Sequence, residues 1–178
     1  LDKTLKGIIS DRKLDKPRNN AKQSHEKIKD VCQRFIDNPI TSFTKPPRGR
    51  GVDIWLRKGN TDYLFDTKTV QPNMSAFSSF LEQVLSWYAY FYSRYPERNA
   101  EARIIFPYNP HPKKSFWDGA TGGGKPLEST QEAWVEDEFW DFCSGESNTF
   151  EIIKTSFTEL RDTAELKSAL DMMFKKLN

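Results

Sequence analysis

Apolar and polar positions alternate through residues 51–73, GVDIWLRKGNTDYLFDTKTVQPN, with the period of a β-strand. Val52, Ile54 and Leu56 fall on one face, and Asp53, Trp55 and Arg57 on the other. Residues 58–62 hold Gly59 and Asn60, which tolerate the positive φ of a hairpin turn. Residues 63–70, rich in aromatic and β-branched side chains, predict the returning strand. A further apolar run, residues 102–107 (ARIIFP), predicts a central strand that Pro107 ends.

Elsewhere the period becomes helical. In residues 19–37, Ile28, Val31, Cys32, Phe35 and Ile36 form one stripe, closed by Asn38-Pro39. Residues 75–95 are apolar over most of a helical surface, which predicts burial between the sheet and a second layer or in a dimer interface. Glu82 and Gln83 are the polar positions left on that helix to face a site. Residues 130–143, 149–161 and 163–177 predict three more helices that complete the core or make a dimer contact, the first stopped by Ser144-Gly145. Residues 1–19 are highly charged with weak helical character up to Pro17, either a basic arm along DNA phosphates or a solvated tail. The fold class is α/β or α+β: a small mixed sheet flanked by helices, with a helical C-terminal third, in one domain of 178 residues.

Charge changes this picture little. A net charge of +2 and a pI near 8.5 permit a nucleic-acid partner without demanding one, so clustering of Lys and Arg matters more. Aromatic content of 13% argues against disorder. Cys32 and Cys143 form neither a disulfide framework nor a zinc spacing, and are expected to be free thiols in a reducing cytoplasm. No apolar run approaches the roughly 18 residues of a membrane helix and no signal peptide is visible, so a soluble cytoplasmic protein is expected. The chain begins with Leu1 rather than Met, which leaves room for an upstream segment.

The candidate chemistry lies on the hairpin. Asp66 and Lys68 are two apart and leave the same sheet face. Two carboxylates and an ammonium at one sheet end can hold a hard divalent cation and activate a water. Mg²⁺ suits such oxygens: Asp53 and Asp66 as ligands, the Thr67 backbone carbonyl as a third, and Lys68 to orient or deprotonate the attacking water. Asp53 followed by Asp66-Thr67-Lys68 resembles the PD-(D/E)xK nuclease signature, with Val52 in place of the proline. A structural Asp–Lys ion pair is the competing reading, since such pairs also perturb pKa values.

Nearby loops carry candidate DNA contacts. Residues 44–50 bring Lys45, Arg48 and Arg50 next to the hairpin, as solvated linker or phosphate clamp. Gln71 and Asn73 carry amides that read adenine edges or hold phosphates, or else make a turn and cap a helix. Lys113 and Lys114 lie in a proline-rich basic loop. Residues 119–125, GATGGGK, match the first seven positions of a phosphate-binding loop, but Pro126 stands where Ser or Thr should hold Mg²⁺ and no strand precedes. A flexible glycine loop flanked by lysines, Lys125 among them, suits a lid or a groove-entering recognition loop. His25 reads as a hydrogen-bonded histidine near the core, and Glu26 as an exposed helix carboxylate.

The strings GVDIW, DYLFDTKTVQPN, SWYAYFY and ARIIFPYNP together resemble type II restriction endonucleases of the TdeIII group, over residues 24–162. The resemblance implies an endonuclease-like fold, Mg²⁺ dependence, a homodimer and sequence-specific cleavage of double-stranded DNA. In that family a glutamate on the first helix often supports the metal site, and Glu26 in SHEKI occupies that place. Two other functions use the same residues: a repair nuclease without sequence preference, and a non-catalytic DNA-binding or dimerisation domain.

Overall fold

A computed structural model describes residues 1–15, 20–68, 72–111, 113–163 and 165–177. Strand β1 (Ile54–Lys58) pairs antiparallel with β2 (Thr61–Thr67), and Lys58 faces Thr61 across a two-residue Gly59-Asn60 turn. Gly59 has φ 61°, a conformation that β-carbons disfavour. The ladder continues one step past β1, because the Asp53 amide donates to the Phe65 carbonyl at 2.9 Å. On the other side of β2 lies β3 (Asn99–Phe106), parallel to it, followed by β4 (Ala133–Val135), parallel to β3. The mixed sheet therefore has the order β1-β2-β3-β4.

A parallel neighbour requires a crossover, and helix α3 (Met74–Arg94) provides it. Phe77, Leu81, Val84, Leu85, Trp87, Tyr88 and Phe91 of α3 are buried, which explains its near-continuous apolar sequence. Helix α2 (Ala21–Gln33) adds Ile28 and Cys32 to this core, and helix α1 (Asp2–Lys13) adds Ile8. Leu64, Phe65 and Asp66 are buried in succession, as in a strand covered on both faces.

Three expectations change. The charged N-terminal segment is a packed helix, because Arg12 lies buried against Glu132 with Nη2 to Oε2 at 2.6 Å. Helix α2 stops at Gln33, and Ile36 is exposed. The helix expected over residues 130–143 is instead α5 (Ser129–Glu132), strand β4 and α6 (Asp137–Ser144). The edge of β3 captures the middle of this segment, pairing Ile104 with Ala133 and Phe106 with Val135, while Trp134 packs on the Phe65 ring at 5.4 Å. Tertiary pairing thus overrides the helical period. Glu136, at φ 50°, turns the chain from β4 into α6.

The glycine-rich segment folds as a short helix α4 (Phe116–Gly119) and a 3-10 turn (Thr121–Gly124). Gly124 is buried, and a β-carbon there would lie 2.5 Å from the Trp117 ring. Close packing against Trp117 is what Gly124 permits, while Gly122 and Gly123 are exposed.

The chain divides into two compact units, Leu1–Val135 and Glu136–Asn178. The second comprises α6, α7 (Thr149–Asp162) and α8 (Glu165–Leu177). The start of α7 is fastened by Asp141, which accepts from the amides of Thr149 at 2.8 Å and Asn148 at 3.2 Å. Among the described residues, Ile152, Phe157 and Leu160 of α7 and Leu166, Leu170 and Met173 of α8 are exposed. Among the described residues no helix is long and apolar enough to cross a membrane.

Candidate active site

The site forms where β2 ends. Asp66, only 4% exposed, occupies the penultimate position of β2, and the Lys68 amide extends the parallel ladder by donating to the Ile105 carbonyl at 2.8 Å. The alternation of the strand puts Lys68 Nζ 2.6 Å from Asp66 Oδ2. The Lys68 ammonium lies over the Phe80 ring, 5.6 Å from its centroid. Asp53 arrives from the antiparallel neighbour, and its Oδ2 accepts from the Thr67 amide at 3.4 Å. The two carboxylates approach closely enough to interact directly.

A further side chain completes the cluster. Gln83 of α3, 3% exposed, donates from Nε2 to Asp66 Oδ2 at 2.6 Å and to the Gly51 carbonyl at 3.4 Å. The sequence marks Gln83 as a polar position left to face a site, and an amide on the buried face of an apolar helix must find partners.

Asp66 is held above its ordinary carboxyl pKa. Burial is the largest cause; the Lys68 hydrogen bond opposes it, the neighbouring Asp53 raises it further, and the Lys68 charge and Gln83 amide lower it. Two donors therefore fail to offset desolvation plus a second carboxylate. A divalent cation between the carboxylates would supply the missing charge, so the donor set fits a hard metal. Among the described residues no three His, Cys, Asp or Glu side chains converge into a ready-made metal cage, so water, backbone or substrate oxygens would fill the remaining positions.

The other predicted residues divide between this cluster and elsewhere. Thr67 belongs to it through its backbone. Arg50 lies alongside, with Nη1 donating to the Ser79 carbonyl and Nη2 to Glu82 Oε2, both at 3.3 Å. Glu82 also pairs with Lys13, and these two cations hold its carboxyl below the usual range against the opposing effect of burial. Asn73 caps α3, its Oδ1 accepting from the Ala76 amide at 2.9 Å. Arg48, Lys113 and Lys114 are exposed, and Lys125 pairs with Asp15 at 2.7 Å. Gln71 lies outside the described residues.

Glu26 is not brought to the cluster. It is exposed, 3.9 Å from Lys22, and faces a groove lined by His25, Lys29, Glu101 and Arg103. His25 is the core histidine its place suggests: its ring stacks on Tyr88 with centroids 4.0 Å apart, and Nε2 lies 3.1 Å from Glu132 Oε1.

With this geometry established, comparison with known proteins is informative. The family model for type II restriction endonucleases of the HinfI type matches residues 3–161, most of the chain. The match covers every residue of the cluster. It bears on the restriction endonuclease class and not on the narrower TdeIII grouping. No curated protein and no solved structure matches the chain.

Proposed function

We propose that this chain, which belongs to the HinfI family of type II restriction endonucleases and cleaves DNA at a specific site, does so through Asp53, Asp66 and Lys68 acting with Mg²⁺. Asp53 and Asp66 would hold the metal, together with the Thr67 carbonyl. Bound there, Mg²⁺ supplies Lewis-acid polarisation of the phosphate and a water of lowered pKa. Lys68 orients the attacking water for in-line displacement and places its positive charge beside the non-bridging phosphate oxygens, where negative charge develops. Arg48, Arg50, Lys113, Lys114 and Lys125 contact the phosphate backbone, while Gln71 and Asn73 supply amides for base edges or phosphates. The active species is a homodimer whose two-fold axis matches a palindromic site in double-stranded DNA. Glu26 lies on α2 beside Lys22 and is not assigned to the metal in this reading.

The observation that carries this reading is geometric: at the end of β2 the buried Asp66 has Lys68 Nζ 2.6 Å from its Oδ2, and Asp53 is held at the same strand end by the Thr67 amide, so that two carboxylates and an ammonium suit a hard cation. The test is plasmid cleavage with Mg²⁺, with EDTA, and with Asp66→Ala. Discrete fragments that require Mg²⁺ and disappear in the variant are expected. A smear would indicate cleavage without a site, and cleavage that persists in EDTA or in the variant would overturn the assignment of these residues.

A further inference from the structure

Helix α3 grips the chain just before Asp53. Ser79, Glu82, Gln83 and Trp87 recur at i, i+3, i+4 and i+8, so they share one helix face. Ser79 and Glu82 hold the Arg50 guanidinium, as described. The Trp87 indole N–H donates to the Arg50 carbonyl at 2.9 Å, and Gln83 Nε2 donates to the next carbonyl, Gly51, at 3.4 Å. Asp53 lies two residues further on, outside the regular strand that begins at Ile54. Its side chain is exposed, and packing alone does not fix it.

Gln83 also touches the other carboxylate. Its Nε2 reaches Asp66 Oδ2 at 2.6 Å, so the two hydrogens of one amide serve the approach to Asp53 and Asp66 itself. Lys68 donates to the same oxygen, Oδ2. At a position 3% exposed, flanked by Val84 and close to Leu81, an apolar side chain would suffice for packing, and a buried amide is costly unless paired. What the amide adds is a fixed relation between two backbone segments.

We propose that Gln83 is a positioning residue that sets the spacing of Asp53 and Asp66 by tying Gly51 and Asp66 Oδ2 to a single point on α3. This leaves Asp66 Oδ1 for the cation, with Trp87 steadying the same segment. The inference rests on reading Asp53 and Asp66 as the metal ligands. Groups that orient ligands in this way typically contribute about 10–100-fold to metal affinity or activity.

The experiment is a calorimetric titration with Mn²⁺ of the wild type, Gln83→Met, Gln83→Glu, Trp87→Phe and Asp66→Asn, alongside metal-free melting curves and cleavage rates across Mg²⁺ concentrations. Gln83→Met is expected to bind Mn²⁺ about 10–100-fold more weakly, whereas Gln83→Glu, which loses the donors but adds a carboxylate, should bind it more tightly than Gln83→Met. Cleavage by Gln83→Met should recover as Mg²⁺ is raised, which a merely structural defect would not allow. Trp87→Phe keeps the ring and loses the N–H, and should weaken binding in the same direction by less. Mn²⁺ affinity within about twofold of wild type in folded Gln83→Met would overturn the proposal. Should the Gln83 variants not fold, unchanged affinity in Trp87→Phe overturns it. Failure of the metal reading itself looks different: wild-type binding that Asp66→Asn leaves intact.

Discussion

Three buried carboxylates among the described residues have cationic partners, Asp62, Asp66 and Glu132, and the surroundings of the last two differ in a way that separates scaffold from chemistry. Glu132, fully buried, is saturated. Its Oε1 accepts from Arg12 Nη1 at 2.9 Å and faces His25 Nε2 at 3.1 Å; its Oε2 accepts from Arg12 Nη2 at 2.6 Å and the Glu128 amide at 2.9 Å. Burial pushes its pKa up most strongly, yet the hydrogen bonds from His25 and Arg12 outweigh that, and it rests below the ordinary value. Asp66 receives Lys68 and Gln83 on one oxygen and confronts Asp53, and it rests above. A salt bridge alone does not identify a functional carboxylate. The balance between its donors and its desolvation does.

The contrast is broken most directly at Asp66. Asp66→Asn should reduce Mg²⁺-dependent cleavage by at least about 10³-fold, since it removes a ligand at the reacting centre. The same change should raise thermal stability. The folded pKa of Asp66 lies above its unfolded value, so the native state retains a proton through a window in which the unfolded chain has lost it. Stability therefore falls as pH rises through that window and stays reduced at neutral pH. Removing that ionisation should stabilise the apo protein by about 1 kcal/mol, read as a higher melting temperature at pH 7. A lower melting temperature for the variant would make Asp66 a scaffold residue like Glu132.

Glu132 should answer in the opposite sense. Glu132→Ala leaves Arg12 buried without its partner and should cost about 3–5 kcal/mol. Cleavage per folded molecule should be retained. Because its folded pKa is lowered, its ionised form stabilises the protein above the unfolded pKa, and this is lost as pH falls through the folded value. Chemical denaturation of Glu132→Gln and wild type should therefore differ clearly at pH 7 and converge in acid. A gap that persists at low pH would mean that the carboxylate acts through something other than its charge.

These two sites were not equally legible from the residues. The hairpin is encoded locally: Val52, Ile54 and Leu56 alternate, Gly59-Asn60 turns the chain, and Asp66 and Lys68 are bound to share a face, so Asp53, Asp66 and Lys68 could be named from the sequence. The Arg12–Glu132 pair joins positions 120 apart, and no local period announces it. Strand β4 was hidden for a related reason, since Trp134 and Val135 fit a helical stripe until the β3 edge competes for their backbone. Gln83 lies between these cases. Its polarity on an apolar helix was visible, while its two partners depend on how α3 packs against the sheet.

A weaker contrast concerns cations. Arg50 is held by Glu82 and a backbone carbonyl, whereas Lys125 pairs with the exposed Asp15. Exposed pairs add little to folding, so Lys125→Ala should leave the melting temperature unchanged. If Lys125 contacts a phosphate, the variant should bind all DNA sequences more weakly and reduce the slope of log affinity against log salt by about 1. An unchanged slope in fluorescence-anisotropy titrations would remove Lys125 from the interface.

The smallest effect is expected at Glu26, where the family resemblance and the geometry diverge. The resemblance places a metal-supporting glutamate on this helix, but the side chain is exposed, pairs loosely with Lys22 at 3.9 Å, and shares a groove with Glu101 and Arg103 rather than with Asp53 or Asp66. A carboxylate so placed contacts Lys22 rather than Asp53, Asp66 or Lys68. Glu26→Ala should therefore leave the single-turnover rate within about twofold of wild type at both limiting and saturating Mg²⁺, as for an ordinary surface change. A loss seen only at limiting Mg²⁺ would place a second metal-organising carboxylate on α2. The line between saturated and unsaturated acids would then have to include groups that reach the metal only after DNA binds.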